Sequence, residues 1–195
     1  VNDWSVQQPF LDVMKTARPW IVHKPNQWGG AGHAELVEGG FLDEHGWPKR
    51  LPREMGTLGT VILTDLPEDA GYTAGRYRLA FEGQGIVEVG GRAGNIRYGD
   101  GEVRFDFTPG EGLVDIRIQR SNPEDPVRKI SVVKEEHIER FEAGEVFNPL
   151  WLERLQGFKL LRFMDWMETN NSEISQWSER PAPGDYTYAR KGVPL

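Results

Sequence analysis

The chain contains no cysteine. That absence removes disulfides, thiolate metal sites and thiol nucleophiles together, although it leaves the compartment open. No apolar run approaches the roughly 20 residues that a membrane-spanning helix needs. No signal peptide stands at the start, which opens on Val1-Asn2-Asp3-Trp4. Positive charge is the minority sign: 23 Lys and Arg face 30 Asp and Glu, for a net charge of -7. Nucleic-acid binding draws most of its affinity from cations set against phosphates, so neither a nucleic acid nor a membrane is an expected partner. His23, His33, His45 and His137 share no short ligand spacing, and a zinc or copper centre is not expected. No cofactor is expected either. The exception left open is a structural calcium, for which Asp100-Gly101-Glu102 and Asn122-Pro123-Glu124-Asp125 offer oxygen donors. Neither segment has an EF-hand pattern, and both read first as solvated turns. There is no internal repeat and no low-complexity segment.

What is present is a strand-and-turn texture. Across 195 residues, 23 Gly and 13 Pro accompany 7 Trp and 9 Phe, a mixture typical of short strands joined by tight turns. Gly75 to Glu82 places Tyr77, Leu79 and Phe81 on one face and Arg76, Arg78 and Glu82 on the other. Leu113 to Ile118 repeats the period of two. Further strands are expected at residues 60–64, 86–89, 95–98, 102–107 and 127–133. The fold class that follows is mainly β: an antiparallel β-sandwich of jelly-roll type with a short mixed α/β C-terminal tail.

Four regions are expected. Residues 1–56 read as a loop-rich aromatic segment packed on the sandwich, with a short helix or 3₁₀ turn where Phe10, Val13 and Met14 lie at helical spacing. Residues 57–134 hold the core strands, and 135–157 a helical linker. Residues 158–195 form a tail, in which Phe158 to Phe163 suits a strand covered on both faces and ending in a polar cluster.

A sugar ring presents an apolar C–H face and a rim of hydroxyls, so its site needs an aromatic platform beside short polar side chains. Loop-borne Trp4, Trp20, Trp28 and Trp47 are the candidate platforms, with Asp12, Lys15, Arg18 and Asp43 near them in sequence. The competing reading makes these rings core plugs at the sandwich ends. A second candidate cluster is Arg162, Asp165, Trp166 and Asn170, with Asn171, Trp177 and Arg180 downstream. There the competing reading is an Arg162–Asp165 ion pair that closes the strand end. Hydrolysis of a glycoside usually needs two carboxyl groups about 5 to 9.5 Å apart, and no such pair is singled out; Glu168 is the least poor candidate.

On Pro9 to Trp20, Asp43 to Pro48, Asn122 to Ile130, and Leu161 to Asn170 continuing through Trp177 to Pro181, the chain resembles the N-terminal part of a family of exported bacterial proteins associated with polysaccharides. Its members are described as cellulose-binding or cellulase-like. The resemblance implies a β-sandwich followed by a glycoside-hydrolase-like (β/α)₈ barrel. Phe158 to Phe163 would be the first barrel strand, and Lys191 to Leu195 the approach to the first barrel helix. A full barrel needs about 250 residues, so the later strands and their carboxylates would belong to a larger protein. The expectation is therefore non-catalytic binding of a β-glucan or cellulose-type polysaccharide or oligosaccharide, outside the cell or in the periplasm. The partner within the larger protein would be the barrel. Two rivals stand beside it: a self-sufficient glycosidase or lyase using Asp12, Lys15 or Arg18, and a purely structural accessory domain.

Overall fold

Alternation of apolar and polar residues builds the larger part of the molecule, seen in a computed structural model that describes residues 1–24, 27–52, 54, 56–162 and 172–189. In chain order the elements are β1 (Ile21–Lys24), β2 (Gln27–Trp28), α1 (His33–Glu38), β3 (Thr57–Ile62), β4 (Gly75–Glu82), β5 (Gly85–Gly91) and β6 (Gly94–Tyr98). They continue with β7 (Glu102–Phe107), β8 (Val114–Ser121), β9 (Arg128–Lys134), α2 (Ile138–Glu142) and α3 (Pro149–Leu155). Short 3₁₀ turns lie between, among them Val13–Thr16.

The strands form two wholly antiparallel sheets, a five-stranded one ordered β2-β1-β3-β8-β5 and a four-stranded one ordered β6-β7-β4-β9. From β3 onward, only β6 and β7 are consecutive strands joined as a hairpin in one sheet. Every other connection crosses to the opposite sheet, which is the jelly-roll form of sandwich. Tyr77 and Leu79 of β4, Val103, Phe105 and Phe107 of β7, and Ile130 and Val132 of β9 are buried. So are Leu58 and Ile62 of β3, Val87 and Val89 of β5, and Val114, Ile116 and Ile118 of β8. Within each strand these are inward positions at a spacing of two, with buried Thr60 between Leu58 and Ile62, and each fully buried apolar side chain contributes about 1.5–3 kcal/mol.

The sandwich's β9 edge is covered by the N-terminal segment. Asp12 bridges to Val133, and its Oδ1 accepts both the Met14 N–H that opens the 3₁₀ turn (3.0 Å) and the Val132 N–H of β9 (2.8 Å). Phe10 pairs with Phe147, which stacks on Trp151 of α3, so the helical region is tied to the same segment.

Residues 182–189 close the other side of this wrap. The Thr187 hydroxyl donates to the Ala17 carbonyl (2.7 Å), the Tyr188 N–H donates to the Lys15 carbonyl (2.8 Å), and the Tyr186 ring is buried against Trp20 (centroids 5.6 Å apart) and Trp47 (5.9 Å).

Two expectations need correction. Residues 158–162 are not a strand, and they are exposed: Leu160 is 86% accessible, and Phe158 and Leu161 are also open. An apolar run reads alike whether covered or not, and here no parallel neighbour exists among the described residues to cover it. Residues 1–56, read as loops, contain β1, β2 and α1; the four residues of β1 are too few for alternation to register. Phe163 and Lys191 to Leu195 lie outside the described residues.

Candidate functional site

The outer face of the four-stranded sheet and the N-terminal wrap enclose a cleft of about 570 Å³. Asp12 and Lys15 enter it from the 3₁₀ turn and its N-cap, Asp43, His45 and Trp47 from the loop after α1, Arg78, Ala80, Phe81 and Glu82 from β4, and Arg128 to Ser131 from β9. Phe141 of α2 and Pro183-Gly184 complete the walls. Three segments far apart in sequence, around Asp12, around His45 and around Ile130, thus meet at one place.

Local backbone geometry aims these side chains. The β4–β9 register shifts between Ala80 and Glu82: Ala80 faces Ser131 and Glu82 faces Arg128, so two residues of β9 oppose Phe81 alone. Lys129 takes the extra position with φ of 49°, a left-handed conformation that costs a non-glycine residue on the order of 1 kcal/mol. A bulge of this kind turns side chains away from strict alternation. The 43–47 turn is held by Asp43 Oδ1, which accepts the N–H groups of His45 (2.9 Å) and Trp47 (2.8 Å).

Charge in the cleft is balanced by pairing. Glu82 meets Lys129 at 3.1 Å and Arg128 at 3.6 Å, and Arg78 Nη2 meets Glu142 at 2.8 Å. Arg78 Nε is buried and finds no acceptor among the described residues. Lys15 Nζ donates to the Pro183 carbonyl at 3.0 Å and to the Asp185 carbonyl. Burial holds the Lys15 ammonium below its usual range against the opposing pull of Asp12 and Asp185. Burial likewise pushes the Asp12 carboxyl up to about 6, although Lys15 and the two N–H donors work the other way. At the rim, His45 Nδ1 lies 2.9 Å from Asp185 Oδ1, and this hydrogen bond raises the imidazole pKa.

Chemically, the cleft offers an apolar floor from Phe81, Phe141 and the Trp47 edge beneath donors and acceptors of both signs. Asp12 Oδ1 and Lys15 Nζ each make contacts that hold the fold. Among the described residues no group of three His, Asp or Glu side chains is placed to hold a metal ion.

The residues singled out in sequence separate sharply. Asp12, Lys15, Asp43 and Trp47 line the cleft. Trp20 is 0% accessible and Trp47 4%, so neither indole presents a face to a ligand: both are core, and Trp47 Nε1 donates to the Gly184 carbonyl at 2.9 Å. Trp4 is 55% accessible, but it forms a separate surface cluster with Arg18, whose guanidinium lies 5.6 Å from the ring and whose Nε pairs with Asp3 at 2.9 Å. Trp28 lies in β2 opposite His23. Arg162 sits in exposed coil. Asp165, Trp166, Glu168, Asn170 and Asn171 lie outside the described residues. Sequence reading passed over Arg78, Phe81, Glu82, Lys129 and Phe141. The first three were visible only as members of an ordinary alternating strand, and nothing in the sequence marks Lys129 as left-handed.

No family model, no curated protein and no solved structure matches the chain.

Proposed function

We propose that the chain binds a neutral glycan of β-glucan or cellulose type in this cleft, as a non-catalytic module. The observation that carries the reading is the convergence of separate segments on one charge-balanced cleft with aromatic rings in its wall. A neutral sugar needs both donors and acceptors along its hydroxyl rim and an apolar surface for its C–H face. The ring contact is assigned to Phe81 and Phe141, in place of the indoles expected from the sequence.

Isothermal titration with soluble β-glucan and retention on insoluble cellulose test the reading. Saturable heat that falls about tenfold or more in affinity on Phe81→Ala plus Phe141→Ala is the expected result. Binding indifferent to that double substitution removes the cleft from consideration.

A second reading rests on its own observation. Phe158, Leu160, Leu161 and Trp177 are exposed together in the C-terminal part, a pattern that favours an accessory role in which a barrel-type domain covers them. Loss of self-association in Leu160→Ser, seen by sedimentation, supports it; a monomeric parent chain speaks against it.

A further inference from the structure

We propose that a groove at the same end of the sandwich, on the five-stranded sheet, is a second subsite for the glycan and engages its hydroxyls without ring stacking. The proposal rests on the glycan reading for the identity of its ligand. The groove has a volume of about 690 Å³ and is framed by Thr57, Gln84, Ile86, Gln119, Arg120 and Asn122. It is separated from the cleft by two linked turns only. The chain passes from Glu82 in one to Gln84 in the other, and from Asn122 back to Arg128.

Three observations support it. First, a bulge aims the side chains, as it does in the cleft. On β8 Arg120 faces Ile86 and Ile118 faces Val87, so Gln119 is an extra residue, and Gln119 and Arg120 in succession line the groove instead of alternating away from each other. Second, the polar groups are incompletely used. Gln119 Nε2 donates to Glu88 (2.8 Å), and Asn122 Nδ2 donates to the Gln84 carbonyl oxygen (3.1 Å). These bonds fix both amides while leaving the Gln84 N–H₂, the Gln119 carbonyl and the whole Arg120 guanidinium without protein partners among the described residues. Most other described arginines have a carboxylate, carbonyl or ring partner.

Third, the rim between the two sites is tied together by backbone hydrogen bonds. The Gln84 N–H donates to the Asp125 carbonyl and the Asn122 N–H to the Gln84 carbonyl, both at 2.8 Å. A Cβ on Gly85 would meet the Arg120 carbonyl oxygen at 2.2 Å, so the β4–β5 turn rests directly on the end of β8.

Amide groups and a guanidinium beside a small apolar patch supply donors and acceptors for vicinal hydroxyls. Without an aromatic platform the groove holds a sugar weakly alone. Placed on one chain with the cleft, it acts at high effective concentration.

Cellobiose and cellohexaose are the probes, titrated into the whole chain by calorimetry and followed by backbone amide shifts. The expected result is that Gln119→Ala plus Arg120→Ala weakens cellohexaose about tenfold while leaving cellobiose unchanged, with an unaltered thermal midpoint as the control for folding. Equal cellohexaose affinity in parent and double variant overturns the second subsite and leaves the cleft intact. Shifts at Gly85, Arg120 and Asn122 with none at Ala80, Glu82 and Ser131 keep the groove and overturn the cleft reading. Silence at both sets of amides overturns both.

Discussion

Two aromatic-rich regions of this chain behave in opposite ways. Trp20 and Trp47 stand among glycines and prolines in stretches that read as surface loops, yet both are sealed. Phe158 to Phe163 read as a strand covered on both faces, yet Phe158, Leu160 and Leu161 are open, as is Trp177 at 79%. The difference lies in whether a distant partner arrives. Tyr186 inserts beside the two indoles, and the Gly184 carbonyl accepts the Trp47 N–H. No described element arrives to cover residues 158–161. Composition reports how much apolar surface a segment must hide, while topology decides whether it succeeds.

The largest expected effect tests that contrast directly. Tyr186→Ala or Trp20→Ala is expected to destabilise the fold by about 3–5 kcal/mol in chemical denaturation, because each leaves a cavity where rings now pack. A loss under about 1 kcal/mol for Tyr186→Ala would mean that the tail is not part of the core.

Asp12 comes next. Asp12→Ala strands the Met14 and Val132 N–H groups and is expected to cost about 2–4 kcal/mol, whereas Asp12→Asn keeps an oxygen acceptor and costs less. Its pH dependence has a definite sign. Because burial favours the neutral carboxyl in the folded chain, the contribution is complete below the unfolded value of 3.8 and is lost as pH rises through about 6. It amounts to about 3 kcal/mol. Thermal midpoints that rise between pH 7 and pH 4 in the parent, on a flatter profile in Asp12→Asn, are the expected record; parallel profiles would exclude Asp12 as their source.

The His45–Asp185 contact is smaller. The raised imidazole pKa means that its stabilisation is present below 6.5 and disappears as pH climbs past the folded value. His45 is partly exposed, so solvent screening limits His45→Gln to under about 1 kcal/mol, measurable at pH 5.5 and absent at pH 8.5. At the far end of the scale, Leu160→Ser and Trp177→Ser are expected to stay within about 0.5 kcal/mol of the parent, since they bury nothing among the described residues. A larger loss would show that this region packs after all.

Much of the sandwich was legible because alternation is a local signal. Tyr77, Leu79 and Phe81, and Val114, Ile116 and Ile118, declare their strands without help from the rest of the chain. The turn at Val13–Thr16 was legible for the same reason. The site was legible in part. Asp12, Lys15 and Trp47 were singled out and do line one cleft, but Asp12 and Trp47 serve there as structural members. Phe81 and Lys129 stayed hidden because a bulge depends on the register of two strands far apart in sequence, which no single segment encodes. Arg120 was overlooked for the same reason at the β5–β8 pair.

The central claim, that a glycan is held on the bulged β4–β9 face and not on the loop indoles, is tested most directly by hydrogen exchange with and without a soluble β-glucan. The account predicts slower exchange in residues 78–82 and 128–131 on binding, with residues 20–24 unchanged. Protection confined to residues 20–24, or no protection anywhere, would contradict it.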